Sequence, residues 1–121
     1  MDTLTLQKIV VDALEDIKAR DIEIIDTRSL TSLFDGMIIA SADSTRQVKA
    51  LAGNVQEKVR EAGGEVIGVE GEQVGEWVLV DLGNIVVHVM QPAVRSHYAL
   101  EELWQGTPRR VRGARSEALA A

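Results

Sequence analysis

The sequence predicts an α/β (α+β) fold: a single mixed β-sheet of about five strands with helices packed on it. Three observations point there. Two long stretches space their apolar residues for helices. Five short apolar runs, bounded by turn formers, read as strands. The elements follow one another as α, β, β, α, β, β, β, α within 121 residues, room for one domain and too little for two.

The first helix is expected over Thr3 to Arg20. Leu6, Ile9, Val10, Ala13, Leu14 and Ile17 form one continuous stripe, with charged residues opposite and Thr3 as a cap. Ile22 to Asp26 reads as a strand, Thr27 to Gly36 as a loop without period, and Met37 to Ala42 as a buried strand. The second helix runs from Ser44 to Ala62. It opens with a Ser44–Gln47 capping box, buries Val48, Leu51, Ala52, Val55, Val59 and Ala62, and stops at Gly63-Gly64. Glu65 to Val69 is a third strand, followed by the loop from Glu70 to Gly75. Where the strands flanking the second helix are parallel neighbours, that unit should cross over right-handed. Pro92 begins a third helix that reaches about Trp104, with Gly106 as its stop. The domain is therefore placed at 1–106, and residues 107–121 are expected to be a mobile, Arg-rich tail.

Between these lies "EWVLVDLGNIVVHVMQ", Glu76 to Gln91. Gly83-Asn84 is a two-residue turn signal between apolar runs. Pairing across it sets Val78, Val80 and Leu82 opposite Val89, Val87 and Ile85 on one wholly aliphatic side, which must be core. The other side carries Trp77 opposite Met90, Leu79 opposite His88, and Asp81 opposite Val86. That side is too apolar for open water and too polar for a dry core. In one reading the third helix covers it. In the other its rim, Trp77 and Met90 above all, is a docking surface, since such side chains anchor interfaces. A slip of one residue would invert the two faces. Leu82 falls on the core side, but its place at the turn leaves exposure open in either register.

Composition removes several classes of function. Without cysteine there is no disulfide scaffold, thiolate metal site or thiol catalysis. No signal peptide and no run of ~20 apolar residues is visible, so a soluble cytoplasmic protein, free of the membrane, is expected. Net charge is −6. Residues 107–121 hold four arginines against Glu117, a balance of +3, so the remainder carries −9. An acidic body argues against wrapping DNA or RNA and favours a basic protein partner.

Sites for chemistry are thin. Asp81 and His88 are diagonal neighbours and could do acid–base work, but no nucleophile stands beside them. A structural or interface histidine is the plainer reading. Glu70 and Glu72 could hold a cation with Asp35 or Asp81, yet they read more simply as solvated loop acids. Arg46, in the first turn of the second helix, is a solvated side chain or a rim contact. No phosphate-loop spacing occurs. The expectation is no catalytic residue, no metal and no cofactor.

The blocks "DGMIIASADSTRQV" (Asp35 to Val48), "GVEGE" (Gly68 to Glu72), the hairpin, and "Y-x-L-E-x-L-W" from Tyr98 to Trp104 agree in order and spacing with one family. Over about residues 5–105 the chain resembles the ribosomal silencing factors, the Iojap family, with the basic tail outside the match. The resemblance implies a nucleotidyltransferase-like fold lacking the catalytic acids. It implies a non-enzymatic repressor that binds the large ribosomal subunit through ribosomal protein L-fourteen and sterically blocks subunit joining. Contacts carried onto this sequence are Trp77, Leu82, Gly83, His88 and Met90, with Arg46 and Glu70 at the rim. Ribosomal RNA is not expected as the main contact. Similar proteins are often homodimers. The alternatives are a metal-dependent nucleotidyl or phosphoryl transferase using Asp35, Glu70, Glu72 and Asp81, and a homodimeric scaffold of the same fold. On the leading reading, Trp77→Glu leaves the fold largely intact and weakens ribosome binding.

Overall fold

The structure, a computed structural model, describes residues 1–98 and 108–110. Its elements are α1 (Thr3–Asp16), β1 (Arg20–Asp26), β2 (Gly36–Ser41), α2 (Thr45–Glu61), β3 (Gly68–Glu70), β4 (Trp77–Asp81), β5 (Ile85–Met90), α3 (Pro92–Tyr98) and β6 (Pro108–Arg110). The strands form one sheet in the order β3-β4-β5-β2-β1-β6. β2 and β5 run parallel, and every other neighbouring pair is antiparallel. The architecture is thus the mixed α+β sheet expected, with one strand more than the runs suggested.

α1 ends sooner than its apolar stripe. Lys18 takes a positive φ of 61°, and Ala19 N–H bonds back to the Leu14 carbonyl at 3.0 Å, closing the helix with neither Gly nor Pro at the exit. The freed Ile17 and Lys18 carbonyls accept from Gln47 Nε2. The cap is Asp2, not Thr3: Asp2 Oδ1 accepts from Thr5 N–H at 2.8 Å, and these hydrogen bonds hold its carboxyl below the usual range. Thr3 Oγ1 instead donates to Asp35 at 2.6 Å.

α2 opens as its capping pattern requires. Ser44 Oγ accepts from Gln47 N–H, and Gln47 Oε1 accepts from Asp43 N–H. Val48, Leu51, Ala52, Val55 and Val59 are buried, whereas Ala62, past the last turn, is exposed. β3 is shorter and later than the run that suggested it, at Gly68–Glu70. It pairs with β4, not β2, so the condition for a crossover between parallel neighbours around α2 is not met.

Helices α1 and α2 close one face of the sheet. Leu6, Val10, Leu14, Val48, Leu51 and Val55 meet Val78, Val80, Val87 and Val89 there. This is the aliphatic side of the hairpin, and the register is the expected one: Trp77 pairs with Met90, Val80 with Val87, and Asp81 with Val86. Gly83 alone in the turn has positive φ, the pattern of a turn with glycine first. Leu82 is buried in this core with 6% of its surface accessible, as its place on the aliphatic side requires, and so offers no docking contact, contrary to expectation. Its N–H bonds to Ile85 O, which turns it inward with the strand's alternation.

Pro108–Arg110 add β6 to the β1 edge, with Arg109 opposite Ile24. An aperiodic three-residue stretch carries no strand signal of its own, and pairing with an open edge supplies the ladder. The expected extension of α3 to Trp104, the stop at Gly106, the 99–104 part of the Tyr98–Trp104 motif and the tail beyond Arg110 lie outside the described residues. Among the described residues, no helix is long and apolar enough to cross a membrane.

Candidate docking site

The second face of the sheet is divided. One end is sealed by α3, whose Val94 packs, as Trp77 does, against the cluster of Met90, Ile39, Met37 and Ile25. Met90 is wholly buried, so it presents no docking surface, contrary to expectation. Arg95 fastens the helix. Its Nη1 donates to Asp21 O at 2.6 Å and Ser41 Oγ at 2.9 Å, and Nη2 lies 3.7 Å from Glu23 Oε1. Both Arg95 and Glu23 are buried. Neither stood out in the sequence. Glu23 alternates with Ile22 and Ile24 as a solvent-facing residue would, and its partner lies 72 positions away.

The other end is open. A groove of about 650 Å³ runs beside the hairpin turn. Leu79, Val86, Met37 and His88 form its floor, Phe34 and Leu33 one wall, and Ile67 with Gly83 the other. Leu33 is 81% exposed and Ile67 59%. Asn84 O accepts from both Asp35 N–H (2.7 Å) and Gly36 N–H (3.1 Å), tying the 27–35 loop to the turn. Thr27, buried, donates from Oγ1 to Phe34 O and steadies the loop from within. Glu70 and Asp81 also line the groove, the only carboxylates to do so among the described residues.

Trp77 sits at the border between the halves, partly buried. Its Nε1–H donates to His88 Nδ1 at 2.9 Å. His88 is 6% accessible, and burial lowers its pKa to about 4, so the ring is neutral near pH 7. The indole is thus part of the sheet's packing, and Trp77→Glu would disturb the fold as well as any interface. The expectation of a fold-neutral Trp77→Glu is corrected accordingly.

Of the expected contacts, the structure gathers Gly83, His88 and Glu70 on the groove, whereas Trp77 does not line it and is joined to it through His88. Leu82 and Met90 are inside the protein. Arg46 is exposed on α2, which covers the other face. The residues missed were Leu33 and Phe34, whose only signal was an apolar pair inside a loop of turn formers, and Ile67.

The diagonal pair does not meet: His88 Nδ1 is engaged by Trp77, and Asp81 Oδ1 accepts from Gly83 N–H at 2.9 Å. Asp35 accepts from Thr3. Among the described residues, no three of Asp, Glu and His converge to hold a metal ion.

An open sheet with one face sealed and an apolar, acid-edged groove on the other describes a binding module. A family model described as "Ribosomal silencing factor during starvation" matches residues 1–120, tail included. The chain is 57% identical over 106 residues to a ribosomal silencing factor RsfS of Chromobacterium violaceum, covering 88% of this chain and 87% of that one. The Bacillus subtilis factor of the same name is 37% identical, over 89% and 92%. A mouse protein named for mitochondrial assembly of the ribosomal large subunit is 31% identical over 78% of this chain and 43% of its own. A crystal structure of a Chromobacterium violaceum protein superposes with a TM-score of 0.86 at 54% identity, covering 95% and 97%. The chain belongs to the ribosomal silencing factor family, which includes the Iojap proteins. That places it in the regulation of translation, in association with the ribosome.

Proposed function

We propose that this protein represses translation in the cytoplasm by docking on the large ribosomal subunit through ribosomal protein L-fourteen and blocking the joining of the small subunit. The mechanism is occupancy. No bond is made or broken, and no cofactor is required. The observation that carries the reading is the open apolar groove beside the hairpin turn, in a domain whose other sheet face is filled by its own helices. Its size and its exposed walls, Leu33 and Ile67, suit an inserted apolar side chain.

Charge selects the kind of partner. With −9 outside the last fifteen residues, and Glu70 and Asp81 on the groove, the surface attracts a basic ribosomal protein and repels RNA phosphate. The mouse relative's name also refers to the large subunit.

The test is co-sedimentation with purified subunits. Val86→Lys places a long cation on the groove floor. It should abolish binding to large subunits while far-UV circular dichroism stays native. A second copy of the chain is the competing occupant. Concentration-dependent self-association lost in the same variant, with ribosome binding unchanged, would favour it.

A further inference from the structure

His88 has two ring nitrogens, and the structure accounts for one. Nδ1 accepts from Trp77 Nε1–H, so in the neutral ring the proton must sit on Nε2. Nε2 has no hydrogen-bond partner among the described residues. The one buried side-chain nitrogen or oxygen left unpaired among those residues is Arg20 Nε, so His88 Nε2 is reached by solvent. His88 lines the groove. Among the other lining residues, Leu79, Val86 and Phe34 offer no side-chain acceptor, Met37 only a weak thioether, and the carboxylates of Glu70 and Asp81 make no hydrogen bond to the ring.

We propose that Trp77 fixes His88 as an Nε2–H donor facing the groove, and that this donor meets a main-chain carbonyl oxygen of the protein segment that docks there. This rests on the docking reading above and specifies how the groove recognises its occupant. The acceptor is a neutral oxygen because Glu70 and Asp81 line the same groove and disfavour an incoming carboxylate or phosphate. The same acids draw a Lys or Arg neighbouring the inserted residue. The occupant is therefore an apolar side chain beside a basic one, in a segment whose backbone carbonyl is free. Burial, which depresses the His88 pKa, keeps the ring neutral and the tautomer single near pH 7. Trp77 is then a positioning residue: its effect on binding passes through the orientation and tautomer of His88.

Two substitutions separate the nitrogens. His88→Asn retains an acceptor near the Nδ1 position and removes the donor. His88→Gln retains a donor near Nε2 and gives up the acceptor. Binding of each to large subunits and to isolated ribosomal protein L-fourteen is measured beside Val86→Lys. Long-range proton–nitrogen NMR on the wild type reads the tautomer directly. The expected result is an Nε2–H tautomer in the free protein, affinity lowered about tenfold in His88→Asn, and affinity within about threefold of wild type in His88→Gln. An Nδ1–H tautomer overturns the proposal whatever the variants do. So does unchanged affinity in His88→Asn; with Val86→Lys still defective, that result leaves the docking reading intact. Undiminished binding by Val86→Lys defeats the docking reading and the proposal with it.

Discussion

Arg95 and Glu23, 72 positions apart, meet beneath α3 in a buried ion pair of 3.7 Å. The guanidinium also donates to Asp21 O and Ser41 Oγ, so one side chain joins the helix to both β1 and β2. Desolvation makes such a pair a modest source of net stability, but removing one partner takes that contact away from a buried charge. Arg95→Met should therefore cost about 3 kcal/mol in urea unfolding. Replacing both, with Arg95→Met and Glu23→Leu, should recover much of that loss. If the double variant is no more stable than Arg95→Met, the cost comes from the lost backbone contact and not from the broken ion pair.

The helix that Arg95 holds decides which half of the hairpin's second face is available, and this part of the structure was not legible beforehand. Alternation along Trp77 to Asp81 and Ile85 to Met90 specified the register and the core side, because a slip of one residue would have turned Val80 and Val87 to solvent. Helix α2 was legible for a similar reason: its capping residues and its stripe are local. Nothing local tells where α3 lands or that loop 27–35 folds against the turn. Those depend on Arg95 with Glu23 and on Asn84 with Asp35, pairs distant in sequence. Met90 was thus expected at the surface and is sealed, while Leu33 and Ile67 were passed over and are exposed. The β6 pairing escaped because its ladder is made by the β1 edge, not by its own side chains.

His88 should make stability depend on pH. Its folded pKa, about 4, lies below the ordinary value of 6.5, through burial. The unfolded chain therefore takes up the proton first as pH falls. The neutral ring's contribution is complete above pH 6.5 and is lost as pH falls from there toward 4. At about 1.4 kcal/mol per unit, that loss is roughly 3 kcal/mol. Unfolding free energies measured across this range should be flatter for His88→Gln than for wild type. Parallel curves would show that His88 is not protected from protonation.

Gly71 sets the approach of its loop to β4. Its φ is +89°, and a Cβ there would overlap the Trp77 carbonyl oxygen. Backbone cannot yield as a flexible side chain would. Gly71→Ala should lower stability by about 2 kcal/mol or more, combining left-handed strain with the clash. Since the shift falls on Trp77, the Trp77–His88 bond should lengthen and indole emission should change. A stability loss below 1 kcal/mol, read from thermal melts, would mean that the loop relaxes freely.

Val80 marks the opposite face. It is fully buried against α2 and pairs with Val87. Val80→Asp buries a carboxylate without a partner and should leave the chain unfolded at 25 °C, by circular dichroism. A folded variant would show that this face has access to water.

On the proposed reading, the folded protein silences by engaging a contact surface of the large subunit through its hairpin-end groove. That reading is tested most directly by light scattering of small and large subunits on mixing, with wild type and with Val86→Lys that has been verified as folded. Wild type should suppress the joining signal in proportion to its occupancy of large subunits, and Val86→Lys should leave joining untouched at the same concentration. Equal suppression by the two proteins would contradict the reading.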